Sequence, residues 1–419
     1  MLPSSPDASL DEFAVFGGSP QFLDALHVGR PNVGDRRRFI ERIEQMLDNR
    51  WFSNGGPFVR EFERRVSEVA GARHAIALCN ATVGLEIVTR ALGLSGEVIV
   101  PAFTFVATAH ALQWQQITPV FCDIDPRTHL IDPARVESLI TPRTTGVLGV
   151  HLWGAGCDVD ALSEIARRRG LRLLFDASHA FGCTFQGRPI GSFGDAEVFS
   201  FHATKFVNSL EGGAIVTNDD ELARKIRLMK NFGFESFDAV TYVGTNGKMT
   251  EAAAAMGITS IESMDDIIAT NRRNHQRYAR GLQGVPGIRV LPYDERERLN
   301  YQYVVLEVDP VESGLHRDQL QRVLWFERVL ARRYFYPGVH RMEPYRSHFP
   351  HASLLLPQTE RLCSRILSLP TGTAVDEASI DVVCALIRAA IGRAAALSQR
   401  LGHPATPLPG PPYDSTSSR

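Results

Sequence analysis

The chain has 419 residues, with 45 Lys+Arg against 47 Asp+Glu and a formal charge of −2. Apolar residues make up 44 % and charged residues 22 %, an ordinary globular composition, and the length suggests two or three domains around a sizeable core. The near balance of charge argues against a nucleic-acid binder, and no apolar run approaches the roughly 18 residues of a membrane span.

In chain order, residues 35–70 read as two helices separated by Trp51-Phe52-Ser53-Asn54-Gly55-Gly56-Pro57, where glycine frees the backbone and proline removes a donor. From 74 to 218, short apolar runs alternate with amphipathic stretches. The predicted strands are 74–78, 97–100, 119–123, 146–151, 172–176, 198–201 and 214–217, and the clearest helices are 82–92, 158–168 and 220–229. Such alternation implies crossovers and a mostly parallel sheet, hence an α/β fold whose ligand sits at the carboxyl ends of the strands. Beyond about 260 the pattern changes to a helix over 263–282, a strand over 303–308 and a last helix over 377–397. The expected organisation is a tail (1–15), a large domain (16–260) on whose neighbour the N-terminal helices pack, a small α+β domain (261–398), and a disordered Pro/Ser/Thr-rich tail (399–419). The six cysteines are scattered, which excludes zinc ribbons and redox pairs and leaves buried free thiols and no metal as the expectation. Met1-Leu2-Pro3-Ser4-Ser5-Pro6-Asp7 lacks the basic and apolar stretches of a secretion signal, so the expected location is the cytoplasm.

Three segments directly after strands carry chemistry. Strand 172–176 ends in Asp176-Ala177-Ser178-His179, and strand 198–201 is followed by His202-Ala203-Thr204-Lys205 and then Glu211-Gly212-Gly213. A carboxylate and an amine converging at strand ends suit pyridoxal 5'-phosphate, which needs a lysine for its aldehyde and an acid on its ring nitrogen. Ser200 stands where a hydroxyl reaches the phosphate. On spacing alone, Asp176 reads equally as a strand-end cap and Lys205 as a solvated lysine. Cys79-Asn80-Ala81-Thr82-Val83-Gly84 stops a strand and opens a helix, which is either an anion site or plain capping. Phe105, in Pro101-Ala102-Phe103-Thr104-Phe105, is placed to stack on a flat heterocycle or to join the core.

Together these pieces resemble the DegT/StrS-type sugar aminotransferases, pyridoxal-phosphate enzymes of the aspartate aminotransferase fold (fold type I). The resemblance runs from about Phe16 to Ala390 through Gly56-Pro57, Asn80-Ala81-Thr82, Asp123-Ile124-Asp125, His151-Leu152-Trp153-Gly154, Asp176-Ala177-Ser178-His179-Ala180, Lys205, Glu211-Gly212-Gly213 and Thr217-Asn218-Asp219. It implies that Lys205 binds the cofactor covalently and Asp176 its ring nitrogen. Ala81, Thr82 and Ser200 would hold the phosphate, and Phe105 would stack on the ring. His179 stands where many members have glutamine and would bond the phenolic oxygen. Asn246 would serve the phosphate across a two-fold interface, so the expected assembly is a homodimer with shared sites.

The resemblance also implies a nucleotide-linked keto-sugar as acceptor and an amino acid, commonly glutamate, as donor, the cofactor passing through its pyridoxamine 5'-phosphate form. Thr245-Asn246-Gly247-Lys248-Met249-Thr250-Glu251 and Tyr334-Phe335-Tyr336-Pro337-Gly338-Val339-His340 look like the branch acting at C4 of a dTDP-4-keto-6-deoxyhexose, found in antibiotic-sugar pathways. Trp153, Lys248, His340 and Tyr345 are then the candidate substrate contacts. Amination at C3, amination of a cyclitol or aminoshikimate-type ketone, and a non-catalytic regulator are the alternatives.

Overall fold

The alternating apolar runs resolve, in a computed structural model that describes residues 10–402, into one seven-stranded sheet. Its strands are β1 (His74–Leu78), β2 (Glu97–Pro101), β3 (Thr118–Cys122), β4 (Thr144–Val150), β5 (Arg172–Asp176), β6 (Ala196–Ser200) and β7 (Gly213–Thr217). The spatial order is β1-β7-β6-β5-β4-β2-β3, with β7 antiparallel to both neighbours and every other pairing parallel. Side chains alternate between two cores: Ala75, Val147, Phe175 and Phe199 fill one face, and Ile76, Leu148, Leu174 and Val198 the other. Both faces are covered, which is why the strands read as nearly continuous apolar runs.

Two helices precede the sheet, α1 (Arg36–Asn49) and α2 (Pro57–Ala70). Gly56 gives α2 no side-chain cap, and the fully buried Glu251 does so from afar, accepting Phe58 N at 2.8 Å and Val59 N at 3.0 Å. A Cβ on Gly56 would lie 2.5 Å from that carboxyl, so the close approach requires glycine. Glu251 begins a helix, Glu251–Glu262, that periodic reading does not find: its residues are buried almost all round, so no amphipathic stripe marks it. Both N-terminal helices pack on this helix, and α2 also on β1. The expected packing on the smaller unit belongs instead to the preceding segment, where Leu26–His27 pairs with Val329–Leu330.

A three-stranded antiparallel sheet, Ile288–Val290, Val304–Val308 and Ile366–Leu369, has its own core with Tyr278, Leu320 and Ile387. Phe13 is fully buried in that core, so residues 10–15 are packed rather than a tail; 1–9 lie outside the described residues. The last predicted helix is interrupted at Arg393 into Glu377–Gly392 and Ala394–Leu401. It therefore runs past the expected boundary at 399, and 403–419 lie outside the described residues. The cysteines are free and all but the half-buried Cys79 are buried. No helix among the described residues is long and apolar enough to cross a membrane.

Candidate active site

The carboxyl ends of β1, β4, β5 and β6 open into a cavity of about 490 Å³ that Asp176, His179, Ser200 and Lys205 all line. A larger cleft of about 780 Å³ lies elsewhere, rimmed by Arg289 paired with Glu307 and Arg365 with Asp309, and contains none of the expected site residues.

Asp176 ends β5 and is 5 % exposed. Its Oδ2 accepts the Thr108 hydroxyl at 2.9 Å, and its Oδ1 accepts Ser178 N at 3.1 Å and the Ser178 hydroxyl at 2.6 Å. Thr104 Oγ1 lies 2.9 Å from Thr108 Oγ1 and extends the line of support. The carboxylate is thus locked in one orientation by three donors. Lys205 sits in the loop after β6, its N–H bonded to the His202 carbonyl at 2.8 Å. Burial drives its pKa down to about 8, partly opposed by the nearby Asp176. The hydrogen-bond partner of Nζ is the Tyr303 hydroxyl at 3.5 Å, which itself lies 3.0 Å from His179 Nε2. His179 Nδ1 is buried without a partner. Burial and the Lys205 charge push the imidazole pKa well down, so the ring is neutral.

At the other end of the cavity, helix α3 (Ala81–Ala91) begins. Asn80 Oδ1 caps Val83 N at 2.8 Å, leaving the N–H groups of Ala81 and Thr82 without intrahelical acceptors at the positive end of the dipole. Gly213 of β7 permits this start: a Cβ there would lie 2.6 Å from Ala81 N. Phe105, the residue before helix α4 (Val106–Trp114), is 57 % exposed and lines the same cavity. An amine with lowered pKa, a fixed carboxylate, open backbone donors beside a hydroxyl, and an aromatic face form a donor set that fits pyridoxal phosphate. The orphaned His179 nitrogen fits a ligand that supplies its missing partner.

Four expected substrate contacts are elsewhere. Trp153 is 2 % exposed and packs behind Phe335, rings 11° from parallel, so it supports the wall instead of forming it. His340 is buried and bonded to Glu360 at 2.6 Å, because the chain turns at Gly338 (φ +91°) and carries it away. Tyr345 is buried against His110, their polar atoms 2.8 Å apart. Lys248 donates to Asn231 Oδ1 at 2.8 Å and lies over the Phe232 ring, lining a separate pocket. Asn246 is exposed and does not line this chain's cavity. From the 334–340 motif, Tyr334 and Phe335 reach the cavity, joined by Tyr303 and by Thr104 next to Phe105. Tyr303 lies 98 residues beyond Lys205 with no motif around it, and no sequence signal marks it.

The sequence profile of the DegT/DnrJ/EryC1/StrS aminotransferase family matches residues 34–388. The chain is 33 % identical over 373 residues to a dTDP-4-amino-4,6-dideoxy-D-glucose transaminase of Escherichia coli, covering 88 % of this chain and 98 % of that protein. It is 34 % identical over 371 residues to a GDP-perosamine synthase of Caulobacter vibrioides, covering 87 % and 98 %. A crystal structure of DesI in the presence of its TDP-sugar product superposes with a TM-score of 0.90 at 53 % identity, covering 94 % of this chain and all of that one.

Proposed function

The chain belongs to the DegT/DnrJ/EryC1/StrS aminotransferase family, and from that premise we propose that it transfers an amino group to C4 of a dTDP-4-keto-6-deoxyhexose, yielding a 4-amino-4,6-dideoxy sugar nucleotide. The observation that carries this reading is the 53 % identity over 94 % of the chain to a protein solved with its TDP-sugar product. Glutamate is the proposed donor, and antibiotic or glycan sugar synthesis the proposed context.

When bound, pyridoxal phosphate supplies an aldehyde that takes up the donor's amino group and a protonated ring that accepts electrons. Asp176 would hold the ring nitrogen, its orientation set by Thr108 and Ser178. Ala81, Thr82 and Ser200 would bind the phosphate, Phe105 the ring face, and His179 the phenolic oxygen. Lys205 would bind the cofactor and, once released, would act as acid and base in both halves of the cycle. In the first it would take the proton from the donor's Cα and return one to the cofactor, and in the second it would take that proton back and give one to C4 of the acceptor. A pKa of about 8 suits that exchange near neutrality, because both the amine and the ammonium are then accessible.

The site reads as shared between two copies. Phe232, Phe234, Phe237, Val240 and Val243 are exposed on the segment leading to Asn246, and Phe237 is wholly so. A second copy would cover this apolar patch and bring Asn246 to the partner's phosphate. Incubating the protein with dTDP-4-keto-6-deoxyglucose, glutamate and cofactor, with product regiochemistry read by NMR, tests the function. An amine at C4 is the expected result; amination at C3 or none on this sugar overturns the reading.

A further inference from the structure

Tyr303 stands just before the Val304–Val308 strand of the smaller sheet, yet its ring is in the Lys205 cavity. It is held there by Trp153, edge-on at 5.1 Å, and by Tyr293, whose hydroxyl donates to the Tyr303 carbonyl at 2.8 Å. The structure gives the Tyr303 hydroxyl two hydrogen bonds, to Lys205 Nζ at 3.5 Å and His179 Nε2 at 3.0 Å. These two partners make opposite demands. An ammonium has only hydrogens to offer, so the phenol oxygen must accept from Lys205. The Gln302 side chain beside the hydroxyl also acts on it as a donor, so the single phenol hydrogen goes to His179 Nε2. Were Nε2 protonated instead, it would compete with Lys205 for the oxygen and strand the phenol hydrogen in a site only 8 % exposed.

We propose that Tyr303 is a positioning residue that holds Lys205 and fixes His179 in the tautomer protonated at Nδ1. Nδ1 is the ring atom no protein group uses. Protonated there, His179 presents a buried donor, which suits an acceptor oxygen on the ligand and would repel another donor. The departure from glutamine is thereby made good: a glutamine amide always has a donor to turn toward its ligand, whereas an imidazole has one at Nδ1 only if something else decides its tautomer. The neutrality this needs agrees with the surroundings, because burial pushes the phenol pKa up and the imidazole pKa down.

The inference rests on the functional reading above for the identity of the acceptor, but its first test does not. Solid-state ¹⁵N spectra of the histidine-labelled, cofactor-free full chain at pH 7, where Lys205 is mainly ammonium, report each ring's tautomer. The His179 signal is the one missing from His179→Gln. Protonated Nδ1 is expected; protonated Nε2 in the wild type overturns the proposal. In Tyr303→Phe, which keeps the ring packing, His179 should revert to Nε2–H, the form free histidine prefers; an unchanged tautomer also overturns it. In the loaded enzyme, Tyr303→Phe should lower kcat roughly tenfold with the donor KM within about threefold, the signature of a lost orienting bond and not of a loosened fold. An unaltered kcat removes Tyr303 from the mechanism. A protein that never develops the cofactor's visible band breaks the functional reading and leaves the nitrogen spectra standing.

Discussion

Lys205 and Lys230 are both half-buried lysines, yet their surroundings differ in completeness. Lys230 Nζ donates to Glu63 Oε1 at 3.0 Å and to the Ala77 carbonyl at 3.1 Å, and Glu63 also holds Arg227 at 2.9 Å and Ala77 N. Burial lowers its pKa, and the Glu63 charge opposes that shift. Lys205 has one long bond to a phenol, and the carboxylate nearest in charge, Asp176, is already held by Thr108 and Ser178. Burial alone does not make a lysine reactive. What distinguishes Lys205 is an unfinished set of partners facing a cavity, which a ligand completes; Lys230 is finished by the fold.

Substituting each lysine should break the comparison in opposite ways. Lys205→Ala is expected to lose at least about a thousandfold in kcat, the scale of a positioned proton carrier, while melting close to the wild type. Borohydride treatment of the loaded enzyme followed by peptide mapping should place the cofactor tag on Lys205; a tag on Lys230 or Lys248 would refute the assignment. Lys230→Met should leave turnover intact and cost about 3 kcal/mol of stability, read by denaturant unfolding, because it leaves Glu63 short of a buried partner. If Lys230→Met melts like the wild type, the ion pair contributes nothing.

Asp176→Asn asks whether the fixed carboxylate acts on the chemistry. It should retain the cofactor and lose more than about tenfold in kcat, since an amide cannot keep a ring nitrogen protonated. A variant within about threefold of wild type, only ~0.7 kcal/mol, would put the essential acid elsewhere. The shared site is tested by mixing Lys205→Ala with Asn246→Asp. Random reassociation makes about half the dimers mixed, each with one intact site, so roughly a quarter of wild-type activity should return. A mixture that stays dead after proven subunit exchange assigns Asn246 to its own chain. The smallest effect is one of pH. Only the neutral amine reacts with an acylating reagent, so labelling of Lys205 in the cofactor-free chain should rise with pH through a midpoint near 8. Below that pH the ammonium dominates and labelling falls tenfold per unit; a midpoint above 10 would mean the amine is solvated.

Every strand of the large sheet was legible within two residues of its bounds, because β-period runs covered on both faces leave a continuous apolar signal. Helix Glu251–Glu262 was not, since burial on every side erases the 3.6-residue stripe. That Asp176, Ser200, Lys205 and the Ala81-Thr82 turn share one cavity was readable because each ends a strand or follows one within a few residues, and strand ends converge in a parallel sheet. His340 and Tyr345 lie outside that cavity for the converse reason: they sit in short helical turns, Val339–Arg341 and Tyr345–His348, where the turn at Gly338 and the Glu360 and His110 partners decide direction.

The sequence by itself determined the α/β architecture, the family and the pairing of an acid with an amine at neighbouring strand ends, because these depend on local periodicity and on short motifs. Only the tertiary structure decided that Tyr303 bridges Lys205 and His179, that Thr108 locks Asp176, and that Phe335 screens Trp153 from the cavity. Those contacts join segments 68 to 182 residues apart, and the physical reason is plain. A hydrogen bond or a ring stack forms between whichever groups the packed fold brings within reach of one another, and distance along the chain does not enter that choice.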